Sequence, residues 1–105
     1  MKLKSSLLTL ALVFSLACSV FAQQGGQFRA LVFSKTTGFR HQMISDGVLA
    51  LKNLGAAHVF SVYTTEDAAH FTDENLAKYD VIILMSTTGT IFNDAQKAVS
   101  YTHLR

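Results

Sequence analysis

The chain has 105 residues, half of them hydrophobic and 15% charged, with a formal net charge of +2, one Cys and no Pro or Trp. That length allows one small domain, and so low a charge content excludes an intrinsically disordered chain. A single Cys excludes both a disulfide framework and a Cys-rich zinc site.

Lys2 and Lys4 make a short positive start, Leu7–Phe14 runs apolar with only Thr9 interrupting, and Val20-Phe21-Ala22 ends in a small residue. This is the order of a secretory signal peptide over residues 1–22, cut after Ala22. Two alternatives stand beside it. One is an uncleaved membrane anchor, although the apolar core is shorter than the roughly 20 residues a spanning helix needs. The other is a lipoprotein site at Cys18, with Ser15 where an aliphatic residue is preferred. Cleavage predicts a periplasmic or secreted protein that meets the membrane only during export. It also removes two of nine basic residues, which leaves seven Lys/Arg against seven Asp/Glu and no Cys. A neutral domain with no basic stripe predicts no nucleic-acid partner, and without Cys it is indifferent to an oxidising compartment.

Gln23–Gln27 reads as a polar linker. Phe28–Ser34 is a short apolar run of β-formers and predicts a strand buried on both faces. From about His41 the period changes: Ile44, Val48, Leu51 and Leu54 recur at helical spacing, with Gly55 as the expected stop. His58–Thr64 alternates as a second strand, and Glu66–Phe71 reads as a polar loop or turn. Thr72 is placed to cap a helix over Asp73–Tyr79, with Asp73 and Glu74 favourable in its first turn. Val81–Met85 is the third strand and is expected to be buried. After the Ser86–Thr90 loop, Asn93 is placed to cap a last helix from Asp94. Alternating strands and helices predict an α/β fold with a doubly wound, flavodoxin-like parallel sheet. Three strands are fewer than such a domain needs, at roughly 130–200 residues, so the domain is expected to be incomplete.

In open parallel sheets, ligands bind beyond the carboxyl ends of the strands. Two loops there have unusual composition. Ser34–His41 brings hydroxyls, Gly38, the Arg40 guanidinium and the His41 imidazole to the start of a helix, where free N–H groups favour polar or anionic ligands. Ser86-Thr87-Thr88-Gly89-Thr90 is a hydroxyl-rich turn after the strand expected to be central. The plainer reading of each is an ordinary turn, with Thr37 capping and Arg40 and His41 solvated. His58 and His70 read as surface or capping residues, and Asp67, Asp73 and Asp80 as turn or helix-start residues. No HExxH, CxxC or paired-carboxylate spacing occurs, so no metal site is assigned and the cofactor is unknown. Nor is there a G-x-S-x-G nucleophile elbow.

The segments FRALVFSKTTGFRHQMISDGVLALKNLG and TTEDAAHFTDENLAKYDVIILMSTTGTIFNDAQ resemble the opening of the ThuA-like (trehalose utilisation) domain. The motifs are Lys35–His41, Thr65-Glu66-Asp67, Phe71–Leu76, and Tyr79–Leu84 followed by Ser86–Gly89. The resemblance implies a class I glutamine-amidotransferase-like fold and a link to carbohydrate metabolism, with residues 28–98 as the amino-terminal part of the domain. Residues 99–105 depart from the pattern and read as a foreign tail. The nucleophile elbow of amidotransferase-like folds lies beyond this point, so the catalytic half would be missing. Ser86–Gly89 would match the loop that supplies an oxyanion-hole amide in true amidotransferases.

These readings predict an exported protein acting on a small-molecule carbohydrate, with the fragment inactive alone. Thr37, Gly38 and Arg40 would line the pocket opposite Ser86, Thr87, Thr88 and Gly89, with His41 as general acid or base. The alternatives are a non-catalytic carbohydrate-binding or interaction module, and an FMN binder using Ser34-x-Thr36-Thr37-Gly38 as a phosphate loop. Arg40-His41 and the neutral charge weigh against FMN.

Overall fold

A computed structural model describes residues 26–104. The expected export signal, and most of the expected linker, lie outside the described residues. Among those described, no helix is long and apolar enough to cross a membrane.

Strand β1, Arg29–Phe33, is the centre of a three-stranded parallel sheet, between β2 (Ser61–Thr65) and β3 (Val81–Leu84). It pairs from Arg29↔Ser61 to Phe33↔Thr65 on one side and from Ala30↔Val81 to Phe33↔Leu84 on the other. Ala30, Leu31, Val32 and Phe33 are each no more than 2% exposed, as an apolar run buried on both faces requires. The expectation that the third strand is buried is corrected. Val81 and Leu84 of β3 are 41% and 44% exposed, because β3 has a strand neighbour on one side only among the described residues. Its apolar run matches that of β1, so position in the sheet, not composition, decides the burial.

Strand alternation divides the faces. Leu31 and Phe33 pack with Ala68, Phe71 and Leu76, and Tyr79, Ile82, Ile91 and Phe92 close over them. Three aromatic rings hold this side: Phe33 meets Phe71 edge-on at 4.7 Å and stacks with Phe92 at 5.3 Å, while Phe71 and Phe92 lie 4.4 Å apart. Ala30 and Val32 are out of phase with them and serve the opposite face.

Helix α1 spans Ile44–His58. It begins after a turn in which the Ile44 N–H reaches the His41 carbonyl, and it does not stop at Gly55 as expected. Gly55 lies buried inside the helix, where a Cβ would come within 2.7 Å of the Phe60 carbonyl and 2.9 Å of Val62 Cγ2. The glycine therefore serves the close approach of α1 to β2. The helix ends at Val59, which takes the left-handed conformation with φ 58° and ψ 51°. His58, expected to open the second strand, is thus in the last helical turn.

The loop after β2 contains a short 3-10 turn, Ala68–His70, capped by Asp67. Thr72 caps α2, Asp73–Leu76, as its position predicts, accepting the Asn75 N–H at 3.2 Å. Helix α2 stops short of the expected Tyr79 because the chain must enter the sheet: the Asp80 N–H donates to the Arg29 carbonyl at 2.8 Å. Helix α3, Asp94–His103, opens with a capping box in which Asn93 and Gln96 exchange hydrogen bonds of 2.8 and 2.9 Å. It continues without a break through residues 99–103.

Candidate functional site

All three strands point their carboxyl ends at one edge, and each is followed there by a polar loop. Between β1 and β3 the pairing runs on past the strands. The Met85 N–H donates to the Phe33 carbonyl at 2.9 Å, Thr36 bridges Thr88, and the Thr37 N–H donates to the Thr88 carbonyl at 2.9 Å. Thr37 Oγ1 reaches the same carbonyl at 3.3 Å, and Thr88 Oγ1 donates to the Phe39 carbonyl at 2.6 Å. Gly89, at φ 74°, completes this clasp. A Cβ on it would overlap Thr37 Oγ1 and lie 2.9 Å from the Gly38 nitrogen. Gly38 faces Thr88 at ordinary contact distance. Ser86 adopts φ 51°, a left-handed conformation that turns the chain away from β3, and both Ser86 and Thr87 are half-buried.

The structure therefore brings Thr37, Gly38, Thr88 and Gly89 together, as expected from the sequence. It spends both threonine hydroxyls on joining the two loops.

Arg40 turns the other way. Its Nη1 pairs with Glu66 Oε1, which follows β2, and both side chains are about half exposed, at 50% and 51%. Glu66 sits in a braced turn. The Asp67 N–H donates to Thr65 Oγ1 at 3.1 Å, the Ala69 N–H to Asp67 Oδ1 at 2.9 Å, and His70 Nδ1 lies 3.0 Å from Thr65 Oγ1 and 3.2 Å from the Asp67 carbonyl. His70 is thus a turn-fixing residue, in line with its sequence reading.

The Arg40–Glu66 pair borders a cleft of about 540 Å³ between α1 and the carboxyl ends of β1 and β2. Ser34, Ser45, Thr64 and Thr65 supply hydroxyl-bearing walls, and Ile44, Val48 and Leu49 an apolar one. Ser34 belongs there because it continues the alternation of Ala30 and Val32, while Lys35 opens into a smaller cleft beside Asp67 and Asn93.

His41 is exposed and does not line either cleft. Its ring meets Phe39 edge-on at 5.0 Å, and Phe39 is itself 72% exposed. Among the described residues its imidazole has no hydrogen-bond partner, and no group of three or more His, Cys, Asp or Glu residues is placed to hold a metal ion. The sequence reading placed Ser34 in the first strand-end loop but gave Thr65 and Glu66 no ligand role. Their signal was position: Glu66 follows β2 as Ser34–His41 follows β1 and Ser86–Thr90 follows β3, and only the latter two loops stood out by composition.

Nothing matches among curated proteins or among solved structures. The family model ThuA, described as trehalose utilisation, matches residues 29–105, which includes every strand and helix described above. Its glutamine-amidotransferase-like fold agrees with the parallel α/β sheet. The chain belongs to the ThuA (trehalose utilisation) family.

Proposed function

We propose that this chain is the amino-terminal part of an exported ThuA-family protein that binds a carbohydrate, trehalose or a related sugar, and processes it when the domain is whole. The observation that supports this most is the gathering of all three strand-end loops on one edge of the sheet. There the Thr36–Thr88 bridge falls between β1 and β3, where strand order reverses. In this reading Thr37, Gly38, Thr88 and Gly89 shape the floor, Ser86 and Thr87 face the ligand, Arg40 binds its oxygens, and His41 moves a proton. The partner is a small-molecule carbohydrate and not nucleic acid. The membrane is met only during export to the periplasm or beyond.

The 105 residues alone are inactive in this reading. Leu49 and Leu54 of α1, with Val81 and Leu84 of β3, leave apolar surface uncovered, and such surface is what further elements of the domain would bury.

The test of the catalytic role is His41→Ala in the full-length protein, with calorimetry for binding and a product assay for turnover. Retained binding with turnover reduced by about 100-fold or more is expected for a general acid or base; unchanged binding and turnover would remove the role. A second reading, a non-catalytic binding module, is favoured by one feature. No group among the described residues orients the His41 ring, whereas a catalytic base is commonly held by a third group. Binding with no product from the wild-type protein would decide for it.

A further inference from the structure

Arg40 and Glu66 stand 26 residues apart in sequence and meet at the β1/β2 junction, on the far side of the Ser34–His41 loop from the Thr37–Thr88 clasp. From the geometry we infer that this pair is the grip of a sugar subsite. The Glu66 carboxylate accepts from one ring hydroxyl, the Arg40 guanidinium donates to its neighbour, and the C–H face of the ring lies against Val48. The inference rests on the carbohydrate reading above and adds, beyond the β1/β3 face described there, a position for one sugar ring in the β1/β2 cleft and what holds it.

Four observations carry it. First, a half-exposed ion pair contributes little to stability, so the pair is not explained as a fold-holding contact. Its single contact leaves most of the carboxylate's acceptor sites and most of the guanidinium's donors unused. Second, the turn that carries Glu66 is braced on both sides by the Thr65–Asp67–His70 hydrogen bonds, so its backbone has little freedom to lose on binding. Third, the cleft volume of about 540 Å³ suits a small organic ligand, and its lining is amphipathic as a pyranose is: hydroxyls from Ser34 and Thr65 at the strand ends, with Val48 and Leu49 beside Ser45 on α1. Fourth, Glu66 and Arg40 offset each other at the edge of the cleft, so each meets a ligand as a hydrogen-bonding partner beside its counter-charge and not as an isolated ion.

The variants are Glu66→Gln and Ser45→Phe in the full-length protein, titrated calorimetrically with trehalose and glucose, with a thermal unfolding scan of each. Glu66→Gln removes the charge but keeps the shape. Ser45→Phe, on the exposed surface of α1, fills the cleft without touching the pair. We expect both to unfold near the wild-type temperature and both to bind at least tenfold more weakly. If the wild-type protein binds neither sugar, the carbohydrate reading fails and takes this inference with it. If the wild type binds and both variants bind equally well, the sugar sits elsewhere: the inference falls and the carbohydrate reading survives. Should Glu66→Gln bind inorganic phosphate while the wild type does not, with sugar affinity unchanged, the cleft is an anion site and the inference is overturned.

Discussion

The two junctions that flank β1 differ in what they do with their polar groups. At the β1/β3 junction the Thr37 N–H and hydroxyl both donate to the Thr88 carbonyl, the Thr88 hydroxyl donates to the Phe39 carbonyl, and Gly89 lets the loops close. At the β1/β2 junction Arg40 and Glu66 touch but remain half in water beside an open cleft. Both loops of the first junction are rich in Ser, Thr and Gly, the composition that suggests a ligand site. The comparison teaches that such composition serves equally well for a clasp. What separates a clasp from a site is whether the polar atoms still have bonds to give.

The strongest way to break the comparison is to remove what both junctions stand on. Phe33 is fully buried under the carboxyl edge, in contact with Phe71 and Phe92. Phe33→Ala is expected to cost about 3–5 kcal/mol in urea unfolding of the full-length protein and to abolish sugar binding with it.

Gly89→Ala attacks the clasp alone. The added Cβ meets Thr37 Oγ1 and the Gly38 nitrogen, and the residue is held at positive φ. A loss of about 1–3 kcal/mol is expected from the backbone term; an unchanged urea midpoint would show that the loops are not closed as described. Thr88→Val is milder. It removes the hydroxyl donor to the Phe39 carbonyl and keeps the shape, for about 1 kcal/mol.

Glu66→Gln should have the smallest effect on stability, about 0–1 kcal/mol and less at high salt, because the pair is exposed.

Much of the scaffold was legible because its signals are local. The apolar run of β1, the cap at Thr72 and the capping box at Asn93 each depend on residues within four positions. What failed was set by contacts distant in sequence. Gly55 resembles a helix stop, yet it is a contact point for Phe60 and Val62, and only the docking of α1 on β2 distinguishes the two. The Val81–Leu84 run resembles a central strand, yet among the described residues strand order gives it a neighbour on one side only. Thr37, Gly38, Thr88 and Gly89, named from two loops, do lie in contact. The diversion of Arg40 towards Glu66 was not legible, since no spacing rule links residues on separate loops.

The central claim is that the junctions use their polar groups differently: Thr37 and Thr88 close the loops at one, and Arg40 and Glu66 grip a sugar ring at the other. It is tested most directly by a crossed comparison of Thr88→Val and Glu66→Gln in the full-length protein, measuring the unfolding midpoint and trehalose affinity of each. The account predicts that Thr88→Val lowers the midpoint with the smaller loss of affinity, while Glu66→Gln keeps the midpoint and loses at least tenfold in affinity. Equal losses of affinity in both variants, or a larger one in Thr88→Val, would contradict it.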